Sequence, residues 1–332
     1  MTLKIGNLKL HSNLILAPMS GITDLPFRLI NRKFGCELAF IEMINARCLG
    51  HKSKKTFQMM ATDKLDKPLG VQLLGCEPQY IERAMDILNK YKFDILDFNA
   101  ACPERKVTRR GEGASLLKEP AKLQKLLKLV VEHAKTPVTV KIRTGWDKRS
   151  FNAAEVAQLA EDAGVRAIFI HGRTKQQLYS GCADYSVISR VKKAVKIPVV
   201  GSGDIFSGPL AQKMLDETGC DAVLIARGAL GNPWIFAQIK HYLKTGKELF
   251  APEMPEIIKT MKEHLALCVD FFGEKFGVII FRKFFGWYTK GFRKIRKLRE
   301  KVTYLKTQNE VEAIIDQILP VRYPRSAASS VK

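Results

Sequence analysis

Short apolar runs recur along the first roughly 225 residues, at 13–19, 39–42, 69–73, 95–99, 138–142, 167–171, 198–201 and 222–226. Amphipathic segments of helical period separate most of them, for example 79–90, 120–135, 153–163 and 209–218. Pro26 stands where a first helical turn accepts proline, just after Asp24. Eight strand–helix units at this spacing predict an α/β fold, a TIM (β/α)8 barrel occupying 1–245. A doubly wound open sheet is the runner-up, disfavoured because no GxGxxG turn follows the first run.

In such a barrel all C-terminal strand ends surround one mouth. Here the runs end at Pro18-Met19, Glu42, Gln72, Asn99, Lys141, His171, Gly201-Ser202-Gly203-Asp204 and Arg227-Gly228. Each has a bland reading: Lys141 as a solvated lysine, His171 as a satisfied core histidine, Gly203 as a mere turn. Their coincidence at nearly every end favours an active site. A further pattern is 93–103, an apolar run stopped by Asn99-Ala100-Ala101-Cys102-Pro103. Pro103 cannot extend a ladder, so Cys102 falls on a loop, although a free cysteine is most often a small buried hydrophobe.

Seven cysteines scattered at 36, 48, 76, 102, 182, 220 and 268, with no CxxC, argue against disulfides and structural zinc. No HExxH, paired-carboxylate cluster or GxSxG elbow is present, and no metal is expected. The glycine-rich turns at 201–204 and 227–231 are where barrels hold a phosphate on backbone N–H groups. A phosphate-bearing cofactor is therefore expected, its identity open.

Neither a bilayer-spanning run nor a signal core is visible, so the chain reads as cytoplasmic and without a membrane partner. A net charge of +22 points to a polyanionic partner, best a nucleic acid. After Trp234 the strand pattern stops, and 250–322 read as a smaller all-α helical-bundle domain with helices at 256–272, 278–289 and 310–318. Between Arg282 and Arg299 stand Lys283, Lys290, Arg293, Lys294, Arg296 and Lys297, with interleaved aromatics and no acid. A solvated helix face normally mixes both signs, so this stretch suits phosphate contact. Residues 323–332 read as a disordered tail.

The run Ala17-Pro18-Met19-Ser20-Gly21-Ile22-Thr23-Asp24-Leu25-Pro26-Phe27-Arg28 resembles the amino-terminal signature of the tRNA-dihydrouridine synthases. So do Asp97-Phe98-Asn99 with Cys102-Pro103, Val140-Lys141-Ile142-Arg143, His171-Gly172-Arg173-Thr174, and 179–185. Gly203-Asp204-Ile205, Gly231-Asn232-Pro233-Trp234 and 286–291 complete the set in order. The resemblance covers about residues 5–320 and is nearest the bacterial B-type branch.

The resemblance implies an FMN enzyme, reduced by NADPH, that reduces the C5–C6 bond of particular uridines in tRNA. It implies that Pro18, Met19 and Ser20 line the flavin, Gln72 meets its pyrimidine edge, and Lys141 stabilises its reduced form. His171 would hold the ring and phosphate side, and Ser202, Gly203, Asp204, Ala226 and Arg227 the ribityl phosphate. Asn99 and Arg173 would contact the flipped uridine, Cys102 would be the general acid, and Arg282, Lys290, Arg293, Lys294, Arg296 and Lys297 would bind the RNA. Ala101 stands where the family usually has glycine, Ser202 where asparagine is common, and Ala226 where glycine is common. The alternatives are the same chemistry on ribosomal RNA, a dihydroorotate-dehydrogenase-like enzyme acting on a free pyrimidine, and an RNA-binding or chaperone module with a degenerate site. A monomer is expected.

Overall fold

The computed structural model describes residues 2–318, so the expected tail at 323–332 and the end of the 250–322 segment lie outside the described residues. The chain opens with an antiparallel hairpin, β1 (Leu3–Ile5) and β2 (Leu8–Leu10). Eight strands follow: β3 (Leu14–Leu16), β4 (Leu38–Asn45), β5 (Leu69–Leu74), β6 (Ile95–Ala100), β7 (Val138–Arg143), β8 (Ile168–His171), β9 (Val199–Ser202) and β10 (Ala222–Ile225). They form one closed parallel barrel in the order β10-β3-β4-β5-β6-β7-β8-β9, each at one of the predicted runs. Closure comes from β10 pairing with β3, Val223 opposite Leu14.

The hairpin is absent from the sequence reading above, although Leu3-Lys4-Ile5 and Leu8-Lys9-Leu10 alternate about a Gly6-Asn7 turn. Its Leu3, Ile5 and Leu10 join Phe40, Ile95, Phe169, Val200 and Leu224 in a core cluster separate from the outer one. The barrel is thereby stoppered with apolar side chains at its N-terminal end. Phe40 and Phe169 meet edge-on there, ring centroids 5.7 Å apart. Gly70 makes room for them, because an added Cβ would run into the Phe40 ring.

Outside, helix Pro78–Leu88 buries Ile81, Ala84, Met85 and Leu88, and helix Pro120–His133 buries Leu123, Leu126, Leu127 and Val130. Both use the i, i+3, i+4, i+7 stripe that faces a sheet, and both begin with proline.

The last barrel helix, Ile235–Thr245, is ended by Gly246 in the left-handed region. Four helices follow, Met254–Phe272, Glu274–Tyr288, Arg296–Val302 and Gln308–Asp316. The third was not foreseen; its sequence reads only as a basic run. Phe284, Phe285, Tyr288 and Phe292 of the acid-free stretch are buried and build the core of this region. That core is continuous with the barrel's outer one. Phe27 stacks on Phe284 at 5.5 Å, Trp234 lies edge-on to Tyr288 at 6.3 Å, and Trp234 Nε1 donates to Glu256 Oε1 at 2.8 Å. Gly231, at φ +70°, lies so close to the Trp287 backbone that a Cβ there would collide with it.

Gly70→Ala should lower the denaturant midpoint by an amount equivalent to roughly 1–3 kcal/mol, the usual cost of overpacking. An unchanged midpoint would show that the Phe40 ring is free to move aside.

Candidate functional site

Above the apolar stopper the barrel interior turns polar. Alternate positions of β5, β6 and β7 place Gln72, Asp97, Asn99 and Thr139 inside, all buried. Asp97 accepts from Gln72 Nε2 and from Thr139 Oγ1, both at 2.7 Å. Asn99 Nδ2 donates to Gln72 Oε1 at 2.8 Å. Burial pushes the Asp97 carboxyl up to about 6, against the pull of those two donors and of Lys141.

Lys141, opposite Asn99 in register, has no hydrogen-bond or ion-pair partner among the described residues. Its ammonium is pulled down to about 8 by desolvation first and by Arg143 second, with Asp97 opposing both. It is the uncommitted cation of the mouth. Asp97, Thr139 and Arg143 were not assigned roles from the sequence. The signal was there, since each lies two residues from an assigned one on the same strand and so shares its face.

Cys102 is half-buried on the loop after β6. Its amide and that of Ala101 both donate to Asn99 Oδ1, at 2.8 and 3.0 Å. Arg143 Nε donates to the Ala101 carbonyl at 2.9 Å, while its Nη1 reaches Thr174 O and Leu178 O. Arg143 thus fastens the cysteine loop to the loop after β8. Burial pushes the Cys102 thiol upward from its ordinary value, so it holds its proton at neutral pH. Asn99 also anchors this loop.

His171 at the end of β8 is buried, and desolvation followed by the nearby cations Lys141, Arg143, Arg173 and Arg227 drives its pKa well below 6.5. The ring is neutral. Arg173 Nη1 lies 3.3 Å from His171 Nε2, and a guanidinium can only donate, so Nε2 accepts and Nδ1 carries the proton.

Arg173 is 1% exposed and reaches Ser180 O, Gly181 O and Asp204 Oδ2 as well. Asp204 also takes Arg227 Nη2 at 2.8 Å and the Ala183 amide at 3.0 Å. The side chains of Arg173 and Asp204 are struts binding the loops after β8 and β9. Asp204 sits at φ +57° and Gly203 at φ +130°, where an added Cβ would come within 2.6 Å of Ala183 Cβ. Among the described residues the amides of Gly203 and Asp204 have no acceptor. Ser202 is buried beneath them, and Ala226 and Arg227 stand half-buried beside them.

On the rim at β3, Pro18 and Met19 are half-buried and Ser20 is exposed. Thr23 ties the turn back, its Oγ1 accepting from Met19 N at 3.1 Å. Gly21 is held from two sides: Glu42 of β4 accepts from its amide, and Lys283 of the helical region donates to its carbonyl.

The remaining predicted residues lie in the helical region. Lys290, Arg293, Lys294 and Lys297 are exposed and have no ion pair among the described residues. Arg296, 92% exposed, pairs with Glu300 at 3.0 Å. Arg282 is half-buried, its Nη2 donating to Leu305 O at 2.6 Å, so it staples the bundle. Among the described residues no group of three or more His, Cys, Asp or Glu could hold a metal. No described helix is long and apolar enough to cross a membrane.

The family model described as dihydrouridine synthase matches residues 15–323. A protein named probable tRNA-dihydrouridine synthase from Rickettsia conorii is 42% identical over 304 residues, covering 91% of this chain and 92% of that one. One named tRNA-dihydrouridine synthase B from Pseudomonas aeruginosa is 40% identical over 319 residues, covering 96% of each. A solved 2-naphthoyl-CoA reductase complex is similar in fold alone, with a TM-score of 0.57 at 12% identity over 72% of this chain and 51% of that one.

Asp97→Asn sets an amide N–H₂ against one of two donors and should cost about 1–3 kcal/mol of stability, the penalty of a buried polar mismatch. Equal unfolding midpoints for the two proteins would remove Asp97 from the keystone position given to it here.

Proposed function

The chain belongs to the dihydrouridine synthase family, in its bacterial B-type branch, and is an oxidoreductase acting on a CH–CH bond; on that premise we propose that it reduces the C5–C6 double bond of particular uridines in tRNA, with FMN as cofactor and NADPH as reductant. The observation that carries the chemistry is a pair at one mouth: the unpartnered ammonium of Lys141 and the protonated, half-buried thiol of Cys102, close enough to influence one another's ionisation.

The residues left uncommitted fit a flavin mononucleotide. Lys141 offers a cation to the ring edge that gains negative charge on reduction. The free amides of Gly203 and Asp204, with Arg227 beside them, offer donors to a phosphate. Pro18, Met19 and Ala226 offer half-buried apolar walls. FMN, when bound, supplies the hydride to C6 of the base.

This chain's residues do the rest. Lys141 keeps its charge near neutral pH because Asp97 opposes its desolvation. Negative charge that builds at C5 of the base is met by the proton on Cys102 Sγ, a thiol that burial keeps protonated. Asn99 and Arg143 fix the loop that carries that thiol. Neutral His171, held by Arg173, adds a donor at Nδ1 without adding a further charge. The target base must leave its stack to enter, which suits an open mouth flanked by exposed cations. A free pyrimidine needs no such cations, and they favour RNA as the substrate.

Cys102→Ala should slow uridine reduction in tRNA by roughly 10²–10⁴-fold while the protein stays yellow. An unchanged rate would reduce Cys102 to packing. Flavin reduction by NADPH should fall as pH rises through about 8, where Lys141 loses its proton. Lys141→Met should be slow throughout and lack that step, and a step of the same size in the variant would assign it to another group.

A further inference from the structure

The helical region meets the barrel beside β3 and β10, through Gly21 and Gly231. In the closed ring of strands β6 and β7 stand on the opposite side. There the loops after β6, β7 and β8 converge on Trp146. Lys175 Nζ lies 4.6 Å and Lys118 Nζ 4.9 Å from the centroid of its indole. Neither ammonium has a carboxylate partner among the described residues. Lys148 and Arg149 are exposed in the same turn.

The platform is built rather than incidental. Gln176 N donates to Trp146 O at 3.0 Å and Lys175 N to Gly145 O at 2.9 Å, so the β8 loop fixes the β7 loop. Gly145 sits at φ +156°, with the Ser150 carbonyl where a side chain would be. Asp147, the carboxylate of this turn, accepts from Arg149 N and Ser150 Oγ at 2.9 and 3.0 Å and is folded into it. An indole flanked by two uncompensated ammoniums matches a nucleic-acid backbone, with phosphate for the cations and a base or ribose for the ring.

We propose that Lys118, Trp146 and Lys175 form a second RNA-docking surface, across the mouth from the basic helical region, so that the substrate RNA is gripped on both sides of the base that enters. This rests on the reading of tRNA as substrate. It adds a contact that the acid-free stretch alone does not supply.

The test is tRNA binding by the flavin-loaded protein across a salt series, for wild type and for the double variant Lys118→Gln/Lys175→Gln. Each lost phosphate contact should remove about 0.7–0.9 from the slope of log affinity against log salt. The double variant is therefore expected to bind about tenfold more weakly at low salt, with a slope shallower by about 1.4–1.8 and an unchanged flavin spectrum. Wild-type affinity and slope in the double variant would overturn the second surface and leave the substrate reading standing. A wild type without salt-dependent affinity for tRNA would overturn both.

Discussion

A closed parallel barrel gives every second side chain of every strand the same destination, and that convergence governs the rest of this molecule. On β6 the interior residues pass from Ile95 to Asp97 to Asn99, and on β8 from Phe169 to His171. The interior is thus apolar at one end and polar at the other. The β1–β2 stopper keeps water from the far end, so the ionisable groups sit over a dry floor. Desolvation is the leading influence on Asp97, Lys141, Arg143 and His171 alike. It brings Asp97 and Lys141, ordinarily far apart in acidity, to about 6 and about 8. Each then stands within reach of neutrality, while the charge of the other pulls it back toward its ordinary range.

Much of this was legible in the chain. All eight strands lie at the runs the pattern marks, because a strand buried on both faces needs an unbroken apolar stretch. The polar groups at their ends do converge. What composition could not tell was whom each guanidinium serves. Arg173 holds the carbonyls of Ser180 and Gly181 and the carboxylate of Asp204, and Arg282 holds the carbonyl of Leu305. The Asp204 carboxylate likewise bridges two arginines. Partnership of that kind depends on loops of irregular shape, and no periodicity encodes them. The hairpin and helix Arg296–Val302 were missed for another reason: at three and seven residues, they are too short for a period to stand out.

The departures from the usual family pattern also become interpretable. Ala101 is buried, its amide and carbonyl are both bonded, and its backbone lies outside the left-handed region. Nothing at that position requires glycine here. Gly203 is the contrasting case, with positive φ and with Ala183 and His171 closing on the space a side chain would fill.

The seam between barrel and helices has one more implication. Phe27 on Phe284, Trp234 between Phe34 and Tyr288, and Gly231 against the Trp287 backbone join the two parts through one continuous core. Lys283 even reaches from the helices to Gly21, within the turn that lines the mouth. The helical region is therefore coupled directly to the rim of the barrel, and a shift in one would be felt at the other.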